Sequence, residues 1–209
     1  MNDISRKQEV YQMTYQKLVQ LLAGDDSAVR RELAELRKGI GRVPGDIPKL
    51  WGIMFSDLPE YMMGKRGQPS REEWAIYISL TLYALHQQSS NPKTESILIN
   101  GRNMSLGRAA CALVRKDGED SRERVARRFN QIALADNIQT LAYYLRGFVQ
   151  LLRANEVALD YPMLARDLCE YQWEKGARSV RLRWGQDFYN TSKDNEDNAE
   201  GMNDDEQTE

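Results

Sequence analysis

Apolar residues recur at three- and four-residue spacing along almost the entire chain of 209 residues. This spacing places apolar side chains on one face of an α-helix, whereas a half-buried β-strand requires apolar and polar residues to alternate. No long stretch of the sequence alternates in that way. The pattern therefore predicts an all-α fold, and the chain is long enough to bury a hydrophobic core.

Start and stop signals divide the chain into eight predicted helices. Residues 70–73, Ser-Arg-Glu-Glu, have the form of a capping box and predict the start of a long third helix. The side chains of that helix are too apolar on all sides for a surface position, so we expect it at the centre of a bundle. Asp136 is predicted to cap the sixth helix, and Asp160 with Pro162 marks the start of the seventh. The predicted helices span about residues 5–23, 26–38, 70–88, 105–115, 121–134, 137–155, 161–175 and 177–189.

A polar segment divides the helices into two groups. Residues 89–104 are rich in turn-forming residues, which predicts a boundary between two packed helical bundles. We therefore expect an N-terminal bundle over residues 1–95 and a C-terminal bundle over residues 96–191. Residues 192–209 have almost no apolar side chains and cannot bury enough surface to offset the entropy lost on ordering. They are predicted to form a disordered acidic tail.

Acidic residues are concentrated at the carboxyl end. The chain has 31 acidic and 29 basic residues and a formal net charge of -2. Residues 193–209 contain eight acidic residues and one lysine, which leaves 23 acidic and 28 basic residues and a net charge of +5 for residues 1–192. The part expected to fold is therefore mildly basic. Local grouping of its cations would attract a polyanion more strongly than this net charge alone.

The sequence also bears on the compartment. The first residues lack the apolar core of a secretory signal, and no apolar run approaches the roughly 20 residues needed to span a bilayer. Cys111 and Cys169 are far apart and form no Cys-x-x-Cys pair, so we expect buried thiols in a reducing cytosol. These features predict a cytoplasmic protein that does not contact a membrane.

Residues that usually carry catalysis are sparse. His86 is the only histidine and lies at the end of the most apolar predicted helix, so we interpret it as a core or surface residue. The glycine-rich loop at residues 39–45 has the spacing G-x-G-x-x-x-G and follows no predicted strand, so it does not match a phosphate-binding fingerprint. Without a second histidine or a cysteine cluster, the usual zinc and nucleophile–base sets are missing. We therefore predict a non-catalytic protein with no metal and no cofactor.

The most informative pattern lies in residues 122–132. On a helix, its three apolar residues form one stripe at i, i+4 and i+7, while three arginines and a glutamine form a neighbouring stripe. One face therefore packs, and the adjacent face is cationic. The next predicted helix repeats this arrangement, with Arg146 and Arg153 along its polar line.

An arginine stripe beside an apolar stripe is, taken singly, more often a solvated helix face than a binding site. Four basic groups occur, however, at residues 37–49, 102–116, 122–128 and 178–183. Brought together by helix packing, they would form a groove that follows a sugar–phosphate backbone without reading bases. The candidate nucleic-acid-binding residues are Arg37, Lys38, Arg42, Arg102, Arg108, Arg115, Arg124, Arg127, Arg128, Arg146, Arg153, Arg178, Arg181 and Arg183.

Five segments occur in an order that is more specific than any of them alone. They are Leu36-Arg37 to Asp46-Ile47-Pro48 with Leu50-Trp51, Met104-Ser105-Leu106-Gly107-Arg108-Ala109, Arg127-Arg128-Phe129-Asn130-Gln131-Ile132, Leu151-Leu152-Arg153, and Leu159-Asp160-Tyr161-Pro162-Met163-Leu164-Ala165-Arg166. In this order and spacing they resemble the small subunit of the type I-E CRISPR Cascade complex, the CasB family. The resemblance covers roughly residues 30–190, while the insert around 110–123 and the acidic tail look longer than the family pattern.

The resemblance implies an all-helical protein of two bundled halves, present in two copies along the belly of a ribonucleoprotein. Such subunits bridge the backbone subunits and the large subunit, and help hold target DNA open while guide RNA pairs with it. Exchange of a DNA duplex for an RNA–DNA hybrid is nearly balanced in free energy, so cationic contacts can tip it. For Arg153 and Arg166 the alternative is a structural or protein contact. The matched cations are Arg37, Arg42, Arg108, Arg127, Arg128, Arg153 and Arg166.

Two other functional classes remain open. The chain would act as a helical adaptor if its arginines met acidic surfaces of partner proteins without touching DNA. It would be an uncharacterised helical enzyme if purified protein showed turnover, although no nucleophile, base and metal set supports that interpretation. The acidic tail either competes with DNA for the basic face or is an inert solubilising segment.

Overall fold

The computed structural model describes residues 3–88, 90–91 and 96–190. Within these ranges the chain forms ten α-helices and no β-strand, which confirms the predicted all-α fold. The predicted acidic tail, residues 192–209, lies outside the described residues. The helices are α1 (Asp3–Leu22), α2 (Asp26–Lys38), α3 (Trp51–Phe55), α4 (Arg71–His86), α5 (Ile97–Asn100), α6 (Leu106–Asp117), α7 (Arg122–Ala133), α8 (Ile138–Ala154), α9 (Tyr161–Tyr171) and α10 (Glu174–Tyr189).

All eight predicted helices are present, whereas the short helices α3 and α5 were not predicted. The capping box of α4 is confirmed, because Ser70 Oγ accepts the Glu73 N–H at 2.9 Å and the Glu73 carboxylate accepts the Ser70 N–H at 2.6 Å. The prediction that Asp136 caps α8 is wrong. Asn137 has the extended backbone of an N-cap residue, and its Oδ1 accepts the Thr140 N–H at 2.8 Å.

Helix α4 forms the centre of the molecule, as its composition predicted. Every side chain from Ala75 to His86 is buried. The helix packs against α1, α2, α8 and α9. The hydrophobic core is consequently continuous from Val10 on α1 to Phe188 on α10. The division into two bundles at residue 95 stays a prediction.

The first helix packs along the ninth. Val10, Thr14 and Leu18 recur every fourth residue on one face of α1 and are fully buried. The Lys7 ammonium lies 3.1 Å from a carboxylate oxygen of Glu170 on α9. Two segments that are far apart in the chain therefore hold each other in place.

Helix α10 crosses α6 at a very short distance. Gly107 on α6 faces the backbone of Trp184, and a Cβ atom at this position would overlap the Trp184 carbonyl oxygen. Aromatic rings of α7, α8 and α10 pack together in the core, with Phe129 5.2 Å from Phe188 and 6.1 Å from Phe148 between ring centroids. This aromatic cluster fixes which faces of α7 and α8 point away from the core.

Cys111 and Cys169 are free and buried, as predicted. Burial raises the pKa of the Cys169 thiol to about 12, so this side chain is uncharged at neutral pH. None of the described helices combines the length and the apolar character that crossing a membrane requires.

Candidate nucleic-acid interface

The solvent face of α7 carries three arginines. The apolar stripe on the neighbouring face, Val125, Phe129 and Ile132, is buried, so the helix has one fixed orientation. Its cationic stripe is exposed to solvent, as the spacing predicted. Arg127 forms an ion pair with Glu123 at 3.4 Å, but both side chains are largely exposed, and an exposed ion pair contributes little stability. The exposed arginines are Arg124, Arg127 and Arg128.

The solvent face of α8 also carries an arginine. Tyr143, Arg146 and Gln150 are exposed, and 72% of the Tyr143 side chain is accessible. In the described part of the chain, no carboxylate forms an ion pair with Arg146. Gly147 leaves open space beside them, because an added Cβ atom would meet no atom within 4 Å.

Helices α7 and α8 pack against each other and turn their apolar faces toward the same core. We call the exposed side chains of these two adjoining helices the α7–α8 surface. It consists of Arg124, Arg127, Arg128, Tyr143, Arg146 and Gln150.

Two predicted site residues meet at the carboxyl end of α4. Arg37 donates to the Ala84 carbonyl at 3.2 Å, and Arg153 donates to the Leu85 carbonyl at 3.3 Å and to Gln88 Oε1 at 2.8 Å. Burial lowers the pKa of Arg37, and the neighbouring charge of Arg153 lowers it further. Both carbonyl groups lie in the last turn of α4, so the two arginines cap the carboxyl end of the helix, where the Leu85 carbonyl also accepts the Gln88 N–H at 3.3 Å. These hydrogen bonds support the alternative that Arg153 makes a structural contact rather than a nucleic-acid contact.

Two more predicted site residues contact α9 from α10. The Arg183 guanidinium lies 3.1 Å from Asp167 and 2.8 Å from Glu170. Burial opposes ionisation of Glu170, but hydrogen bonds from Arg183 and Lys7 bring its pKa below the ordinary value. Arg181 donates to the Tyr171 hydroxyl at 2.9 Å and lies over its ring. Both arginines help to hold α10 on α9.

Asp167 also binds two other side chains. It is buried, and its second oxygen accepts the Trp184 indole N–H at 2.8 Å. Arg166, one of the cations matched by the family resemblance, donates to it at 2.9 Å. The structural alternative considered for Arg166 therefore also has a geometric basis.

The other predicted site residues lie on the surface in separate places. Lys38 pairs with Glu35 at 2.7 Å. Arg178 pairs with Glu174 one turn earlier on α10. Arg108 donates to the Asn103 carbonyl at 3.2 Å. The remaining three, Arg42, Arg102 and Arg115, are exposed in the loop after α2, after α5 and near the end of α6.

One exposed aromatic residue was not identified from the sequence as a candidate. Trp51, the first residue of α3, has 51% of its side chain accessible to solvent. By contrast, Trp184 is fully buried. The sequence contains one signal for the exposure of Trp51. Pro48 and Gly52 place this residue at the edge of a loop rather than within a long apolar helix.

The fold and the exposed arginines together define an all-helical protein with a cationic surface. A family model described as CRISPR-associated protein Cse2 matches residues 32–189. The chain therefore belongs to the CRISPR-associated Cse2 family, which confirms the resemblance seen in the sequence. No sequence among curated proteins matches the chain significantly.

Solved structures show the same fold. CasB from Thermobifida fusca is 30% identical, with 86% of this chain and 97% of that chain covered and a TM-score of 0.68. A Cse2-family protein from Thermus thermophilus is 22% identical, with 86% and 97% covered and a TM-score of 0.61. A chain of a CRISPR RNA-guided surveillance complex is 22% identical, with 91% and 99% covered and a TM-score of 0.66.

Proposed function

We propose that this chain is a non-catalytic, cytoplasmic subunit of a CRISPR RNA-guided surveillance complex, and that its α7–α8 surface binds a nucleic-acid backbone. Membership of the Cse2 family and the shared fold with a chain of such a complex support the first part. The second part rests on one observation, the exposure of Arg124, Arg127, Arg128 and Arg146 on two adjoining helices whose apolar stripes form part of the core.

The chemistry of these side chains suits a backbone contact. A guanidinium group binds phosphate oxygens through a planar fork of N–H donors and stays charged at every physiological pH. Such contacts fix position without reading bases. Base pairing with guide RNA would supply sequence recognition, while the subunit would stabilise opened target DNA, the displaced strand or the heteroduplex. The proposed protein partners are the other subunits of the complex and a second copy of this chain.

The internal contacts described above reduce the number of candidate phosphate-binding residues. Arg37, Arg153, Arg181 and Arg183 already donate to helix ends, a hydroxyl or carboxylates. We assign these four a role in holding the fold, and we assign phosphate binding to the α7–α8 surface. The exposed residues Arg42, Arg102, Arg108 and Arg115 are secondary candidates, because they lie on other elements.

The non-catalytic assignment is supported by the state of the groups that could carry chemistry. His86 is buried and its Nδ1 lies 2.9 Å from the Tyr161 hydroxyl. The Cys169 thiol is buried with a raised pKa, which disfavours the reactive thiolate. Neither group is in a position to meet a substrate.

The test is binding of the full chain to single- and double-stranded DNA of unrelated sequences across a salt series. We expect binding without sequence preference and a weaker affinity for the triple variant Arg124→Ala, Arg127→Ala, Arg128→Ala. Each lost phosphate contact should reduce the slope of log K against log salt by about 0.7 to 0.9. The triple variant should therefore have a slope that is shallower by roughly 2 to 3.

The matched control removes three other exposed arginines, Arg30, Arg31 and Arg66, and so changes the net charge equally. Its affinity should stay close to that of the unchanged chain. Equal losses for both triple variants would show attraction by net charge alone. Absence of DNA binding at low salt, together with loss of subunit assembly in the first variant, would favour the adaptor function instead.

A further inference from the structure

The indole ring of Trp51 is exposed but held in a fixed orientation. Its Nε1 donates to the Gly45 carbonyl at 2.8 Å, so the ring lies against the turn that precedes it. The adjoining Leu50 is buried, which anchors the backbone next to the ring. An exposed aromatic ring that is already immobilised loses little side-chain entropy when a ligand binds it.

The loop beneath the ring is tied to the centre of the molecule. The Tyr77 hydroxyl on α4 donates to the Gly39 carbonyl at 2.9 Å. Burial raises the pKa of Tyr77 to about 12, so the hydroxyl keeps the proton that it donates. Within the loop, Asp46 accepts the Val43 N–H at 3.2 Å. These hydrogen bonds hold the loop in one conformation against α4.

The surface beside the ring is unusually bare. Gly41, Gly45 and Gly52 each face open space, because an added Cβ atom would meet no atom within 4 Å. Gly41 and Gly45 also have positive φ angles of 77° and 98°, which disfavour any larger residue. A ligand can therefore approach the backbone directly at each of these three glycines.

The loop also carries positive charge. Arg42 and Lys49 are exposed, and neither forms an ion pair within the described part of the chain. Asp46 is the acidic residue of this loop, and its carboxylate is already an acceptor for the turn. The segment that carries the exposed ring thus also carries two cations, of which Lys49 shares a surface cleft with Glu32 and Glu35.

We infer that Trp51 is a stacking platform for one unpaired nucleobase, with Arg42 and Lys49 beside the adjoining phosphates. This inference rests on the proposed function and adds a second contact, on a different element from the α7–α8 surface. Aromatic rings beside cations are how proteins hold single strands without sequence preference, because every base has a π face. A protein partner fits less well, since interface cores combine several apolar anchors and Val43 is the exposed apolar neighbour in this loop.

The experiment compares two ligands of equal phosphate number, a 20-nucleotide oligothymidylate and an abasic 20-mer, binding to the full chain. Loss of one stacked base costs about 5- to 150-fold in affinity. The unchanged chain should therefore prefer oligothymidylate by about fivefold or more, and Trp51→Ala should remove that preference while its affinity for the abasic strand stays the same. Trp51→Phe, which keeps an aromatic ring, should retain most of the preference.

The comparison of ligands on the unchanged chain needs no variant, so a folding defect of Trp51→Ala would not spoil the test. Equal affinity of the unchanged chain for both strands would overturn the stacking site. So would equal loss of both affinities in Trp51→Ala, or intact DNA binding with lost subunit assembly, which would assign Trp51 to a protein interface. The Arg124, Arg127, Arg128 triple variant separates the two proposals, because its failure to weaken either strand would count against the α7–α8 surface alone.

Discussion

Nδ1 of His86 lies 2.9 Å from the hydroxyl oxygen of Tyr161, and both side chains are buried where α4 meets α9. Burial lowers the pKa of His86 to about 4, and the nearby charge of Arg153 acts in the same direction. The same burial raises the pKa of Tyr161. Both groups are therefore neutral in the folded protein near neutral pH.

This contact predicts a loss of stability in mild acid. The unfolded chain binds a proton at His86 with a pKa near 6.5, while the folded chain resists that proton until about pH 4. The contribution of His86 is therefore complete above pH 6.5 and is lost as the pH falls toward 4. At pH 5 the free energy of unfolding should be lower by about 2 kcal/mol from this residue.

Urea unfolding at pH 7.5 and pH 5, with His86→Gln as the control, measures this effect. The variant cannot titrate at this position, so its stability should depend less on pH by that amount. The same pH dependence in both proteins would show that other groups are responsible.

Alanine substitutions at Gly107, which lies where α6 crosses α10, and at Gly147, which lies on the exposed side of α8, should have opposite effects on stability. Gly107→Ala should destabilise the protein by about 1 to 3 kcal/mol, because the new methyl group would force the two helices apart. Gly147→Ala lies on the solvent side of α8 with open space around it, and it should stabilise by roughly 0.5 to 1 kcal/mol. Thermal or urea unfolding of both variants checks the signs, and a destabilised Gly147→Ala would contradict the open space around this position.

Two arginines seven residues apart on α8 should behave differently. Arg153→Ala should lower the free energy of unfolding by about 1 to 2 kcal/mol, because it removes the cap on α4. Arg146→Ala should leave stability nearly unchanged and weaken DNA binding, since Arg146 faces solvent. Unfolding and DNA affinity measured on both variants test these two roles. A loss of DNA binding in Arg153→Ala but not in Arg146→Ala would reverse the roles.

Asp167 should be one of the most sensitive acidic residues. It is buried and accepts hydrogen bonds from Arg166, Arg183 and Trp184. Asp167→Ala would leave these donors without their acceptor and should cost roughly 3 to 5 kcal/mol in urea unfolding. Glu123→Ala, which breaks an exposed pair with Arg127, is the control and should show no measurable change.

The helical pattern of the sequence predicted the long helices and the exposed stripe on α7, because periodicity within one helix determines which residues share a face. It could not identify the arginines that serve the fold. The acceptors of Arg153 and Arg183 lie 68 and 16 residues earlier in the chain, so they become neighbours only through tertiary packing.

Local signals failed where two residues competed or where a helix was short. Asp136 and Asn137 are both good capping residues, and the extended backbone at Asn137 decides between them. Helices α3 and α5 contain five and four residues, too few for a periodic pattern. Pro48 and Gly52 mark Trp51 as lying at the edge of a loop, but the orientation of its ring depends on the hydrogen bond to Gly45, which no regular spacing encodes.

The packing of α1 against α9 has a consequence for synthesis on the ribosome. Helix α1 ends at Leu22 and α9 begins at Tyr161, so about 140 residues must be translated before the two can meet. At roughly 5 to 20 residues per second, this takes roughly 7 to 28 s. During that interval the stripe of Val10 and Leu18 lacks one of its packing partners, so the amino-terminal helix exposes apolar surface until α9 has been made.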